Sequence, residues 1–135
     1  MELYGHDRQK VMVIDNDMDT VEPLRLRLQE RGLKIVHLRE GANAKQIVKT
    51  ERPALIIMDI NLPDVDGKKL IRELKDDWDT KGIPIFVVSN YVGRLDRKTG
   101  PSVDAVYSKP IDCERLIAHA EGVAAGLKIF TQSNM

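Results

Sequence analysis

Cysteine is nearly absent from the 135 residues: Cys113 stands alone, so no disulfide can form within the chain. Net charge is absent as well, because 21 lysines and arginines are matched by 21 aspartates and glutamates. Without a bulk positive field, the chain is not expected to hold a nucleic-acid backbone directly. No apolar run approaches the ~20 residues of a membrane span, and the opening MELYGHDRQK lacks the apolar centre of a signal peptide. Repeats, low-complexity tracts and interdomain linkers are missing too. These absences exclude a disulfide scaffold and a membrane protein, and place the chain in the cytoplasm. An apolar share of 42% and a charged share of 31% are those of an ordinary soluble protein, long enough for one core and not for two.

Three short runs are apolar throughout: residues 11–14 (VMVI), 55–58 (LIIM) and 85–88 (IFVV). Runs this short, rich in valine and isoleucine, suit parallel strands covered on both faces. Residues 33–38 (LKIVHL) and 105–108 (AVYS) are more broken, as expected of edge strands. Helical spacing falls between them. Val21, Leu24 and Leu28 share a face before Gly32, with Pro23 acceptable if it lies near the first turn. Residues 44–50 suggest a short helix, and Leu70, Ile71, Leu74 and Trp78 form a further stripe. The last stripe, Leu116, Ile117, Ala120, Val123, Ala124 and Leu127, starts at Asp112 as N-cap. Residues 90–102, punctuated by Gly93, Gly100 and Pro101, predict only a short or poorly ordered fourth helix.

Five alternations of strand and helix predict a flavodoxin-like, doubly wound α/β fold, a five-stranded parallel sheet of order 2-1-3-4-5 with helices on both faces. In such sheets ligands bind beyond the carboxyl ends of the strands, where the strand order reverses. Asp15, Asn16 and Asp17 end the first strand, Asp59 the third, Ser89 the fourth, and Lys109 follows the fifth. Each alone is bland: an aspartate after a strand is usually a turn former or a cap, and Asp17 or Asp19 can cap the first helix. Their coincidence at one rim carries the weight. Asp15, Asp17 and Asp59 would repel one another and attract a hard divalent cation such as Mg²⁺, which takes oxygen ligands at ~2.1 Å and is typically shared with a phosphoryl group. A carboxylate can itself attack phosphorus, with a metal and a lysine neutralising the equatorial oxygens.

With LIIMDINLPDVDG at residues 55–67, these features resemble the receiver domain of two-component response regulators, over roughly residues 10–126. Residues 1–9 are then a flexible leader and 127–135 a tail. The resemblance implies that Asp59 accepts a phosphoryl group from a histidine kinase or phosphotransfer protein, as part of a phosphorelay. It also implies that Asp15, Asn16, Asp59 and the Asn61 backbone carbonyl hold Mg²⁺, with Asp17 a further candidate. Pro63 and Gly67 shape the loop, Ser89 is the switch hydroxyl, and Lys109 precedes Pro110 across a cis bond.

Four departures stand out. Asn16 replaces an acid, so Mg²⁺ affinity should fall unless Asp17 compensates. Asn90 replaces a small residue and would crowd the phosphoryl route. Val106 occupies the place of the switch aromatic, with Tyr107 one residue late and on the other face of the strand. The stretch between Ser89 and Lys109 is also slightly short. The family's output surface, made of the fourth helix, fifth strand and fifth helix, is where a downstream effector protein or a second copy in a homodimer would bind.

Two other readings compete. One is a receiver-like module that binds its partner without phosphorylation, suggested by Asn16, Asn90 and Val106. The other is a haloacid-dehalogenase-type phosphatase, which VMVIDNDMDT resembles, with Asp15 as nucleophile and Asp17 as general acid. That reading leaves Asp59 and its loop unexplained. Of the remaining polar residues, His6, His37 and His119 show no ligand spacing and read as surface residues. Trp78 reads as core or rim packing, and Arg94, Arg97 and Lys98 as a small solvated basic patch.

Overall fold

A computed structural model describes residues 7–90 and 103–123. The expected fourth helix, the Arg94, Arg97 and Lys98 patch, Ala124 and Leu127 lie outside the described residues. The elements are β1 (Asp7–Ile14), α1 (Met18–Glu30), β2 (Lys34–Leu38), α2 (Ala44–Glu51), β3 (Pro53–Asp59), α3 (Gly67–Asp76), β4 (Ile85–Ser89), β5 (Ala105–Ser108) and α4 (Cys113–Val123). All strands are parallel, in the order β2-β1-β3-β4-β5, as the sequence pattern predicts. The first strand starts at Asp7, inside the stretch expected to be leader.

Strand periodicity sorts the core into two layers. Val11, Val13, Leu55, Ile57, Phe86 and Val88 face α1 and α4, where Val21, Leu24, Leu28, Leu116, Ile117 and Ala120 complete one cluster. Met12, Ile14, Ile56, Met58, Ile85 and Val87 face α2 and α3, packing on Val48, Leu70, Ile71 and Leu74. The central strands are buried along their apolar lengths, whereas β5 alternates between half-buried and exposed residues.

Two helical expectations are corrected. Pro23 is not in the first turn of α1: with Asp17 as N-cap it is the sixth helical residue. The bond it cannot make would have gone to the carbonyl of exposed Asp19, which water can satisfy. Trp78 is not packed. The α3 stripe stops at Leu74 because Asp77 turns extended at the C-cap, and Trp78 stands 84% exposed. Thr80 and Ile83 fill the space instead, the Thr80 hydroxyl donating to the Leu74 carbonyl at 2.6 Å.

The loop from β3 to α3 is held by a close approach. A Cβ added at Gly67 would lie 2.2 Å from the Ile60 carbonyl oxygen and 2.8 Å from its Cα, both backbone atoms that cannot swing away. Gly67→Ala is therefore expected to cost about 2–3 kcal/mol, measured as a lowered urea midpoint at unchanged m-value. A cost indistinguishable from zero would disprove the close approach.

Candidate functional site

Asp15 and Asp59 continue, by the period of two, the residues that face α1 and α4, and the β1–β3 register (Ile14 beside Met58) sets them side by side. Lys109 has the same parity as Ala105 and Tyr107 on β5 and closes over them. Its ammonium nitrogen is 2.8 Å from Asp59 Oδ2, 2.9 Å from Asp15 Oδ2 and 3.4 Å from Asp17 Oδ2. The Lys109 side chain is 4% exposed, Asp15 wholly buried and Asp59 6% exposed. Three carboxylates thus share one buried ammonium group, Asp15 and Asp59 buried with it and Asp17 partly exposed.

The remaining bonds fix each carboxylate. Asp59 Oδ1 accepts from the Asn61 amide at 2.9 Å, and Asp15 Oδ1 accepts from the Asp17 amide at 2.9 Å. Asp17 caps α1, accepting from the Asp19 amide at 3.1 Å and from the Thr20 hydroxyl at 3.0 Å. Asn61 Nδ2 donates to Ser89 Oγ at 3.2 Å, and the Lys109 amide donates to the Ser89 carbonyl at 2.9 Å. The Lys109–Pro110 bond is cis.

Burial pushes the Asp15 carboxyl up from its ordinary value, against the pull of the Asp17 amide and Lys109. Burial alone would lower Lys109, but the Asp59 and Asp15 carboxylates outweigh it and hold the amine above its usual range. The Thr20 hydroxyl is the main influence keeping Asp17 low.

The donor set fits a hard cation. Three carboxylates against one ammonium leave two unbalanced negative charges if all are ionised, and Asp15 Oδ2, although in ion-pair contact with Lys109, accepts no hydrogen bond. Among the described residues no three acidic, histidine or cysteine side chains are arranged as a ready-made metal cluster; Lys109 lies amid Asp15, Asp17 and Asp59. Two carboxylates, a backbone carbonyl and water satisfy Mg²⁺ without a third acid.

Other predicted residues fall further out. Asn16 is exposed, and Pro63 is exposed in the β3–α3 loop. Asn90 lines a hollow of about 310 Å³ with Asp17, Thr20, Lys109 and Cys113. Val106 is 40% exposed on the outer side of β5, whereas Tyr107 faces inward and its hydroxyl meets His119 Nδ1 at 2.7 Å. The two residues therefore point to opposite faces.

Three contributors escaped sequence reasoning. His37, expected at the surface, is half-buried and donates from Nε2 to the Asp15 carbonyl at 2.7 Å. Thr20 braces Asp17. Asp64 accepts from the amides of Gly41 and Ala42 at 2.9 and 2.8 Å, tying the β2–α2 loop to the β3–α3 loop. Only His37 left a signal, its place at the end of a strand bordering β1.

The fold defines a doubly wound α/β protein with an acidic crevice at its topological switch point. Solved structures share it. A sensor protein from Polaromonas sp. JS666 superposes with a TM-score of 0.78 at 31% identity, covering 88% of this chain and 98% of that one. The receiver domain of a sensor histidine kinase from Pseudomonas aeruginosa PAO1, described with a magnesium ion coordinated in its active-site cleft, gives 0.77 at 18% identity, covering 88% and 99%. The polar-differentiation response regulator DivK of Brucella anthropi is 31% identical over 111 residues, 81% of this chain and 90% of that protein. The response regulator receiver domain family matches residues 11–121, and the chain belongs to that family: it is a receiver domain of two-component signalling. Receiver domains are signalling domains rather than conventional enzymes, and they interact with histidine kinases and downstream effectors. No helix among the described residues is long and apolar enough to cross a membrane.

Proposed function

We propose that Asp59 is the phosphoacceptor of this receiver domain, that the domain spans residues 10–126, and that Asp15, Asp59 and the Asn61 carbonyl hold Mg²⁺. The observation that supports this best is the convergence of Asp15 and Asp59 on one buried ammonium group, with Asp15 Oδ2 accepting no hydrogen bond. In the reaction an Asp59 oxygen attacks phosphorus, the bond from phosphorus to the donor's imidazole nitrogen breaks, and the imidazole leaves with the electron pair. Lys109 neutralises charge on the transferring group, and Ser89 binds the product oxygens. A bound Mg²⁺ supplies charge neutralisation at the same oxygens. Donors are a cytoplasmic histidine kinase or phosphotransfer protein, and an effector protein reads the result. Incubation with acetyl phosphate and Mg²⁺ tests this: intact mass should rise by one phosphoryl group, and EDTA should prevent it.

Asp17, not Asn16, supplies the missing charge. Its carboxylate reaches Lys109 beside the other two acids, while Asn16 is exposed. Asp17→Asn keeps the helix cap through Oδ1, because asparagine caps as well as aspartate, and removes the charge together with the Oδ2 acceptor that faces Thr20 and Lys109. It is expected to weaken Mg²⁺ binding about tenfold, read by calorimetry, while Asn16→Ala changes it less than about twofold. The reverse ranking would return the role to Asn16.

The exposed Val106 and inward Tyr107 favour a second reading for output alone: phosphorylation is not relayed through an aromatic flip, and a partner can bind irrespective of it.

A further inference from the structure

Trp78 is the sole tryptophan and is 84% exposed, an uncommon site for a side chain whose burial is worth so much. Lys81 Nζ lies 3.3 Å from the ring centroid and covers one face of the indole. With Glu73, Asp76, Asp77 and Lys45, Trp78 lines a hollow of about 420 Å³.

The charges there are unevenly satisfied. Asp77 takes Lys49 at 2.8 Å and Lys45 at 3.5 Å, and the Lys49 hydrogen bond is the main cause that draws its carboxyl down to about 2. Glu73 and Asp76, both exposed, have no ion pair among the described residues. An exposed aromatic ring with one face under Lys81, beside two carboxylates that have no ion pair among the described residues, selects on its other face a cation that is planar and weakly hydrated. Guanidinium meets that description, because it can stack on the ring while its N–H groups engage carboxylates; an ammonium is compact and strongly hydrated.

The hollow is not isolated. Through Lys45 and Glu73 it adjoins a hollow against Gln46 and Lys49, and then one lined by Gly41, Asp64 and Val65. The trough follows the seam of α2 and α3 up to the loop that carries Asn61.

We propose that the α2–α3 face docks a segment of a partner protein through an arginine seated on Trp78 between Glu73 and Asp76. This surface is separate from the phosphoryl site, and its test does not depend on phosphorylation.

Because Trp78 is the only tryptophan, its emission reports directly on occupancy. A short capped oligoarginine peptide is expected to change that emission saturably and to bind about tenfold tighter than oligolysine of equal length. The double variant Glu73→Gln/Asp76→Asn should lose about tenfold in arginine-peptide affinity with its thermal midpoint unmoved, since both residues are exposed. Equal binding of the lysine peptide, or unchanged binding by the double variant, would overturn the proposal. So would an emission change on raising protein concentration alone, with a dimer in sedimentation, since a second copy would then be the occupant.

Discussion

Asp59→Ala is expected to abolish phosphoryl uptake from acetyl phosphate, whereas Asp15→Asn is expected to slow it by about ten- to a hundredfold without abolishing it. The two carboxylates lie on one ammonium, yet their surroundings differ. Asp15 is wholly buried, with Oδ1 on the Asp17 amide and its backbone tied to Leu38 and His37. A phosphodonor cannot reach it without opening β1. Asp59 ends β3 at the rim with some exposure, and its Oδ1 is oriented by the Asn61 amide of the following loop. Asp59 is therefore the acid expected to attack, and Asp15 the one expected to bind a cation. Intact mass decides between them. Loss of uptake in Asp15→Asn with full uptake in Asp59→Ala would instead support the phosphatase reading, with Asp15 as nucleophile.

The topology was legible because its signals are periodic. Buried parallel strands must be apolar on both sides, so 11–14, 55–58 and 85–88 announced the centre of the sheet, and the broken runs its edges. The rim followed from the carboxyl ends of the strands, and parity explains the meeting: a residue at or just past a strand end shares the face of the residue two before it, which is why Asp15, Asp59 and Lys109 meet. What stayed hidden depends on single contacts across loops. Nothing in the spacing of Asp64 says that it will bind the amides of Gly41 and Ala42. Trp78 continued an apolar stripe on paper, but a pull on Asp77 from Lys45 and Lys49 of α2 accompanies the end of the helix two residues earlier. His37 looked like an edge residue because its partner is the backbone carbonyl of Asp15, just past β1, and its place near the end of β2 was the one hint of that contact.

Lys109→Met is expected to make folding depend on Mg²⁺. The ammonium is almost fully buried and is within 2.9 Å of two carboxylates. Removing one partner from a buried ionic cluster costs about 3–5 kcal/mol, because the charges left behind are uncompensated. In EDTA the variant should lose that much stability in urea denaturation. A divalent cation binds the native crevice and not the unfolded chain, so Mg²⁺ at about a hundred times its dissociation constant should return roughly 2.7 kcal/mol. The pH dependence carries a second signature. The folded pKa of Lys109 is raised above 10.5, so its contribution is complete below that value and is lost as pH climbs through the folded pKa. The wild type should therefore lose stability on the alkaline side, a limb that Lys109→Met should lack. Equal stability of the two proteins in EDTA, or no response of the variant to Mg²⁺, would mean that Lys109 does not compensate the acids. The same charge balance then bears on signalling, because a phosphoryl group on Asp59 adds negative charge beside the one ammonium that Asp15 and Asp17 already share. Lys109 is expected to be drawn toward the new charge and to pass the pull along β5, where Tyr107 is hydrogen-bonded to His119 of α4. In this chain β5 and α4 are therefore the elements through which the phosphorylated state is expected to be read.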